Sequence, residues 1–78
     1  MSISAEDVLR RHEWVKYELR LRQLSFAKLA AAHNLDRSVF ASVSAARKKS
    51  KRAATIIASC LDTSAELLWP EIYGDKDD

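Results

Sequence analysis

SFAKLAAAHNLDRSVFASV, at residues 25–43, is the stretch that decides the fold of this chain. Ser25 suits a helix N-cap because its side-chain oxygen can accept a hydrogen bond from a backbone N–H of the first turn. Asn34 suits the end of that helix, since after glycine it best tolerates a left-handed backbone. Asp36 can cap a second helix almost at once. The stretch therefore predicts two short helices joined by a tight turn at residues 34–36.

A helix-turn-helix motif locks two such helices at a steep angle so that the second can enter the major groove of DNA. The lock needs a small residue where the helices cross, and Ala30 stands there. It needs a residue that tolerates positive φ four positions later, which is Asn34. Both helices and the turn also need apolar anchors, and these are Leu29, Leu35, Phe40 and Val43. Because all these requirements are met together, the stretch predicts a helix-turn-helix.

The rest of the chain predicts further helices. One Gly and one Pro among 78 residues are too few for the turns of a sheet protein of this size. A first helix starts at Ser4, and a fourth follows a basic loop at residues 47–52. Thr63 and Glu66 have the spacing of a capping box for a last short helix, which should end before Pro70.

We therefore expect an all-α fold, a compact bundle of four to five short helices. One domain should span residues 1–73, with residues 74–78 forming a flexible acidic tail.

Composition and motif content exclude several classes. One Cys and two His cannot supply a disulfide framework or a Cys₂His₂ zinc site. Cys60, on an apolar helix face, should be an inert small hydrophobe. We find no catalytic triad, paired carboxylates or phosphate-binding glycine loop, so we expect neither an enzyme nor a cofactor. Without an apolar run of membrane length or a targeting segment, we expect a cytoplasmic protein with no membrane partner.

Positive charge is concentrated in the middle of the chain. Residues 10–52 hold twelve Lys or Arg against three acids, whereas residues 53–78 hold one Lys against six acids. A basic body suggests a surface for polyanions, and phosphate backbones are the usual case.

The second helix of the motif, at about residues 36–45, should present small and hydrogen-bonding side chains outward. The candidates for base contact are Arg37, Ser38, Ala41 and Ser42. Arg37 is either a bidentate guanine contact or a solvated surface residue. The basic loop follows directly and would lie beside the phosphates of groove-bound DNA. The candidates for phosphate contact are Lys28, Arg47, Lys48, Lys49, Lys51 and Arg52.

Two aromatic pairs have different expected roles. Trp69 and Tyr73 should close the last helix on the core. Trp14 and Tyr17 lie on the second apolar stripe of the first helix, where they either complete the core, which we favour, or form an exposed patch for a partner.

Several short segments together resemble the Ner-like (Nlp) proteins, small helix-turn-helix DNA-binding regulators of Mu-type phages and their bacterial relatives. The segments are SFAKL at 25–29, NL at 34–35, IIA at 56–58, Leu61, Thr63, LWP at 68–70 and Tyr73. The resemblance covers about residues 15–73. It implies a lambda-repressor-like fold and transcriptional regulation by operator binding, commonly of prophage genes.

The leading hypothesis is a sequence-specific regulator that binds double-stranded DNA, with a homodimer on palindromic sites. The alternative is a protein-interaction module that acts on another regulator or on RNA polymerase through Trp14, Tyr17 and the acidic C-terminus. A non-specific nucleic-acid binder is disfavoured because the loop at 47–52 contains no aromatic residue. The operator sequence, the sense of regulation and the oligomeric state without DNA stay open.

Overall fold

The computed structural model describes residues 4–74, and that part of the chain contains helices and no strand. The helices are α1 (Ala5–Leu21), α2 (Phe26–His33), α3 (Arg37–Ser44), α4 (Lys51–Cys60), α5 (Ala65–Leu68) and α6 (Pro70–Tyr73). The all-α prediction is confirmed, with six helices in place of four to five. Most of the predicted tail, residues 75–78, lies outside the described residues.

Serine side chains start four of the helices. Ser4, Ser25, Ser50 and Ser64 each accept a hydrogen bond from the backbone N–H three residues later, over 3.1–3.3 Å. This satisfies a backbone donor that has no partner within the helix. The prediction that Thr63 caps the last helix was wrong by one residue, because Ser64 takes that role. Asp36 stands at the predicted N-cap of α3 but makes no capping hydrogen bond with its side chain.

Each of the first four helices is followed, one or two positions beyond its last residue, by a residue with left-handed backbone. These residues are Gln23, Asn34, Ala46 and Asp62, with φ between 57° and 61°. After each, the next N–H bonds to a carbonyl five residues back, at 2.8–3.0 Å. This closure is typical of helix C-termini and usually uses glycine. The chain's one Gly lies at position 74, so side-chain-bearing residues take the conformation instead.

Pro70 divides the C-terminal segment into two short helices. The prediction that the last helix ends before Pro70 holds for α5, which ends at Leu68. The proline then opens α6, which the sequence analysis missed. Proline is well suited to a first helical turn because the N–H it lacks would have no partner there.

The aromatic pair of the C-terminal segment closes the core, as predicted. Trp69 is fully buried, and its ring meets Tyr73 edge-on with centroids 6.2 Å apart. The Trp69 indole N–H donates to the carbonyl of Ser44 at the end of α3, over 3.3 Å. The Tyr73 hydroxyl accepts from the backbone N–H of Ser50. Thus the C-terminal segment holds both the end of α3 and the start of α4.

A mostly buried ion pair ties α1 to α6. The Arg11 guanidinium donates to both carboxylate oxygens of Glu71, at 3.0 and 2.6 Å, and to the carbonyl of Leu68. It also lies over the Trp69 ring, 6.0 Å from its centroid. Burial alone would raise the pKa of Glu71, but the hydrogen bonds from Arg11 and from the backbone N–H of Glu71, together with the positive charge of Arg11, outweigh this effect and leave the pKa below its ordinary value. The sequence does not predict this pair, because its members are 60 residues apart and share no local pattern.

The expectation that Trp14 and Tyr17 complete the core was wrong. Their exposed fractions are 45% and 53%. The reason is that α1 packs on the core through the stripe that contains Val15 and Leu19, which are buried. The second stripe therefore faces away from the core.

Candidate nucleic-acid interface

The helix-turn-helix forms where the sequence predicts it. Helices α2 and α3 pack against each other, and Asn34 between them has φ 57° and ψ 45°. The N–H groups of Asn34 and Leu35 both bond to the carbonyl of Ala30. Ala30 is buried at the crossing, and the anchors Leu29, Phe40 and Val43 are buried while Leu35 packs on the core from its edge. The predicted packing of the two helices and the left-handed turn between them are therefore confirmed.

The outer face of α3 carries the four residues predicted to contact bases. Arg37 and Ser38 are exposed at its N-terminal end, and Ala41 and Ser42 are partly exposed one turn later. Within residues 4–74, Arg37 makes no ion pair or hydrogen bond through its side chain. Small side chains would let this face approach a groove closely, and an uncommitted guanidinium has all its donors available.

A basic cleft adjoins this end of α3, and the sequence analysis did not predict it. Lys16 and Arg20 of α1 line an open cleft of about 300 Å³ together with Arg37 and the N-terminal residues of α2. Three cations from two separate helices thus converge beside a helix N-terminus, which also attracts anions. The four-residue spacing of Lys16 and Arg20 placed them on one face of α1, but the sequence did not show which face adjoins α3.

Four of the residues predicted to contact phosphate are exposed and lie outside α4, three in the connection after α3 and one at the start of α2. Arg47, Lys48 and Lys49 are exposed in the connection after α3 and have no ion pair within residues 4–74. Lys28 is exposed in the first turn of α2, and its ammonium donates to the carbonyl of Gln23.

The predicted loop at 47–52 is shorter than expected. Lys51 and Arg52 belong to the first turn of α4, because Ser50 caps that helix. The Lys51 ammonium pairs with Glu66 at 2.8 Å, and Arg52 donates to the carbonyl of His33 at the end of α2. Both side chains are thus engaged within the protein, unlike those of Arg47, Lys48 and Lys49.

His12 connects α1 to the end of α3. Its Nδ1 is hydrogen-bonded to the hydroxyl of fully buried Ser44 at 2.8 Å, and its ring stacks on Phe26. Burial lowers the pKa of His12 below its ordinary value of 6.5, and the nearby charges of Lys16 and Arg47 lower it further against an opposing effect of Glu13. The folded domain therefore favours neutral His12.

Acidification should weaken the fold through this histidine. Because the pKa is lower in the folded state, the unfolded chain binds more protons, so the free energy of unfolding falls as the pH drops below about 6.5. Urea titrations at about pH 7.5 and pH 5.5 should show a larger loss of stability in the wild type than in His12→Gln. His33→Gln is the matched control and should retain the wild-type loss. Equal losses in wild type and His12→Gln would contradict the assignment.

The fold and this surface define a helix-turn-helix DNA-binding domain. The family model described as winged helix-turn-helix DNA-binding matches residues 11–78, and the chain belongs to that family. Residues 4–74 contain no strand, so the helix-turn-helix is present there without a β-wing. Searches of curated proteins and of solved structures found no match. Within the described residues, no helix is long and apolar enough to cross a membrane.

Proposed function

We propose that this protein is a sequence-specific transcriptional regulator that binds double-stranded DNA. Helix α3 would enter the major groove, with Arg37, Ser38, Ala41 and Ser42 at the base edges. The observation that carries the proposal is the outer face of α3, where small side chains accompany an exposed Arg37 without a partner in the described chain. Arginine recognises guanine by bidentate hydrogen bonds to O6 and N7, the commonest specific contact.

The cations around α3 also support placing this helix in the major groove. With α3 in the groove, the connection that carries Arg47, Lys48 and Lys49 follows the helix out toward one phosphate backbone. The cleft that carries Lys16 and Arg20 lies at the opposite end of α3, near the start of α2. Contacts on both sides of the groove would fix the orientation of the helix without reading sequence. Lys28, Lys51 and Arg52 would extend the phosphate surface.

The resemblance to Ner-like proteins suggests the biological setting. It favours a cytoplasmic, phage-related regulator of DNA transcription, with a non-enzymatic role and a lambda-repressor-like arrangement of helices. Regulators of this kind that read palindromes bind as dimers, with half-sites separated by about 34 Å. We therefore include a homodimer on DNA in the proposal.

Selection from a random duplex pool at near-physiological salt tests the proposal. The expected result is enrichment of one motif, with two-fold symmetry if a dimer binds. Lys49→Ala should weaken binding to all duplexes alike and reduce the salt dependence by about one unit, since it would remove a phosphate contact. Retention without enrichment would contradict sequence-specific binding. A complete lack of retention would favour the alternative, a protein-interaction module.

A further inference from the structure

Helix α1 carries an exposed apolar face on the side away from the core. It consists of Trp14, Tyr17 and Leu21, with exposed fractions of 45%, 53% and 60%. The spacings of three and four residues place the side chains in one row along the helix. The buried residues Val15 and Leu19 point the opposite way. We call this row the α1 face.

The composition of the α1 face suits a protein partner better than DNA. Tryptophan and tyrosine are enriched at the energetic centres of protein interfaces, because they bury a large area and lose little conformational entropy. A phosphate backbone, in contrast, needs cations. Most of the described cations of the DNA surface lie on α2, on α3 and on the connection after α3, whereas Lys16 and Arg20 of α1 line the cleft on one flank of this row.

The charges beside the α1 face are complementary to those of a second α1 face that runs in the opposite direction. On one flank of the row, Glu13 stands toward the N-terminal end and Arg20 toward the C-terminal end. Within residues 4–74, Glu13 pairs only with Lys16 of its own helix, at 3.0 Å, and Arg20 has no ion pair. This flank thus offers one acid and one base in an order that antiparallel pairing, which brings the same flank of both copies together, would match.

We propose that the α1 face binds the α1 face of a second copy in an antiparallel two-fold arrangement. With the axis near residues 15 and 16, Trp14 of each copy lies level with Tyr17 of the other. Leu21 then lies level with Arg10 of the second copy, whose aliphatic stem can cover it. Glu13 comes within about 3 Å, measured along the helix axis, of Arg20 in the second copy. The two-fold symmetry forms each of these contacts twice.

A parallel pair of α1 helices is unfavourable by the same reasoning. It would place Arg10 against Arg10 at the same level of the two helices. Like charges at an interface act against the wrong orientation. The repulsion between the two Arg10 side chains therefore favours the antiparallel arrangement.

This inference goes beyond the proposed function, because it concerns association without DNA. Three side chains make a small interface, so the expected dimer is weak. On DNA, binding of two copies at adjacent half-sites would raise their effective concentration and favour the same contact.

Sedimentation equilibrium of the DNA-free protein, from about 10 µM to about 1 mM, tests the inference. The mass of the wild type should rise from 8.8 kDa toward twice that value as the concentration increases. Trp14→Gln and Tyr17→Gln should stay monomeric throughout. Leu9→Ser is the matched control: Leu9 is an exposed apolar residue of α1 that lines a different cleft, with His12 and Arg47. It should dimerise like the wild type.

Charge exchange tests the orientation. Glu13→Arg and Arg20→Glu should each shift the association to higher concentration by at least about threefold, because each creates two like-charge contacts. The double variant should recover wild-type association. A wild type that stays monomeric at about 1 mM would overturn the inference, as would a dimer unaffected by Trp14→Gln and Tyr17→Gln. Failure of the double variant to recover would overturn the antiparallel arrangement.

DNA binding is measured separately on a single half-site, and thermal melting confirms that each variant is folded. For Trp14→Gln and Tyr17→Gln, which do not line the cleft, loss of self-association with intact half-site binding would leave the proposed function standing. Arg20→Glu is excluded from this comparison because Arg20 also lines the cleft proposed to bind phosphate. A wild type that does not bind the half-site would refute the proposed function without contradicting the inferred dimer.

Discussion

Replacing Arg37 with alanine should weaken binding to the selected operator by about 1–3 kcal/mol and leave binding to random DNA nearly unchanged. This corresponds to a loss of roughly 5- to 150-fold in affinity. The physical reason is that a bidentate guanine contact exists on only one base pair, so its removal affects only the correct sequence. Fluorescence anisotropy with the selected duplex and a scrambled duplex gives both affinities.

Two companion variants separate shape from charge at this position. Arg37→Lys keeps the positive charge but loses the planar fork, so it should lose most of the discrimination between the two duplexes. Lys49→Ala should lower both affinities by the same factor. If Arg37→Ala also lowers both equally, Arg37 contacts phosphate, together with the other cations of the cleft, and does not read a base.

Replacing Trp69 with alanine should reduce the free energy of unfolding by about 3–5 kcal/mol. The change removes the largest fully buried side chain and leaves the carbonyl of Ser44 without the indole N–H. A domain of 78 residues has a total stability of about 4–12 kcal/mol, so the loss is a large part of it. Urea unfolding followed by circular dichroism measures the change.

Trp14→Ala is a control matched in chemistry and different in environment. Because Trp14 is nearly half exposed and belongs to the α1 face, its removal should change stability by less than about 1 kcal/mol at monomeric concentrations. Similar losses in the two variants would show that burial of Trp69 does not dominate the stability of the domain.

The sequence predicts the fold best where local chemistry determines it. Serine caps and the left-handed Asn34 require only residues three to five positions apart, and α2 and α3 were predicted almost to the residue. Prediction failed where two signals competed, as at Thr63 and Ser64, which both can cap. It also failed for Trp14, because periodicity shows that a helix has two apolar stripes but not which one meets the core.

The part of the candidate site that depends on local sequence was predictable, and the part that depends on tertiary packing was not. The outer face of α3 follows from the helical period once its inner face is fixed by Phe40 and Val43. The basic cleft joins α1 to α3, and its formation depends on the angle between helices far apart in sequence. The engagement of Lys51 with Glu66 and of Arg52 with the carbonyl of His33 depends on tertiary packing as well. Contacts of that kind leave no local pattern to read.

The left-handed residues that follow the first four helices mark places where substitution could make this domain more stable. Ala46 and Gln23 hold a backbone conformation that costs about 1 kcal/mol for a residue with a Cβ and little for glycine, while asparagine and aspartate at the other two ends tolerate it better. The two costly ends lie in separate connections, so the gains from Gln23→Gly and Ala46→Gly should add. A more robust background of that kind would tolerate substitutions on the recognition surface that unfold the natural chain. Its specificity could then be re-engineered more widely than its small core suggests.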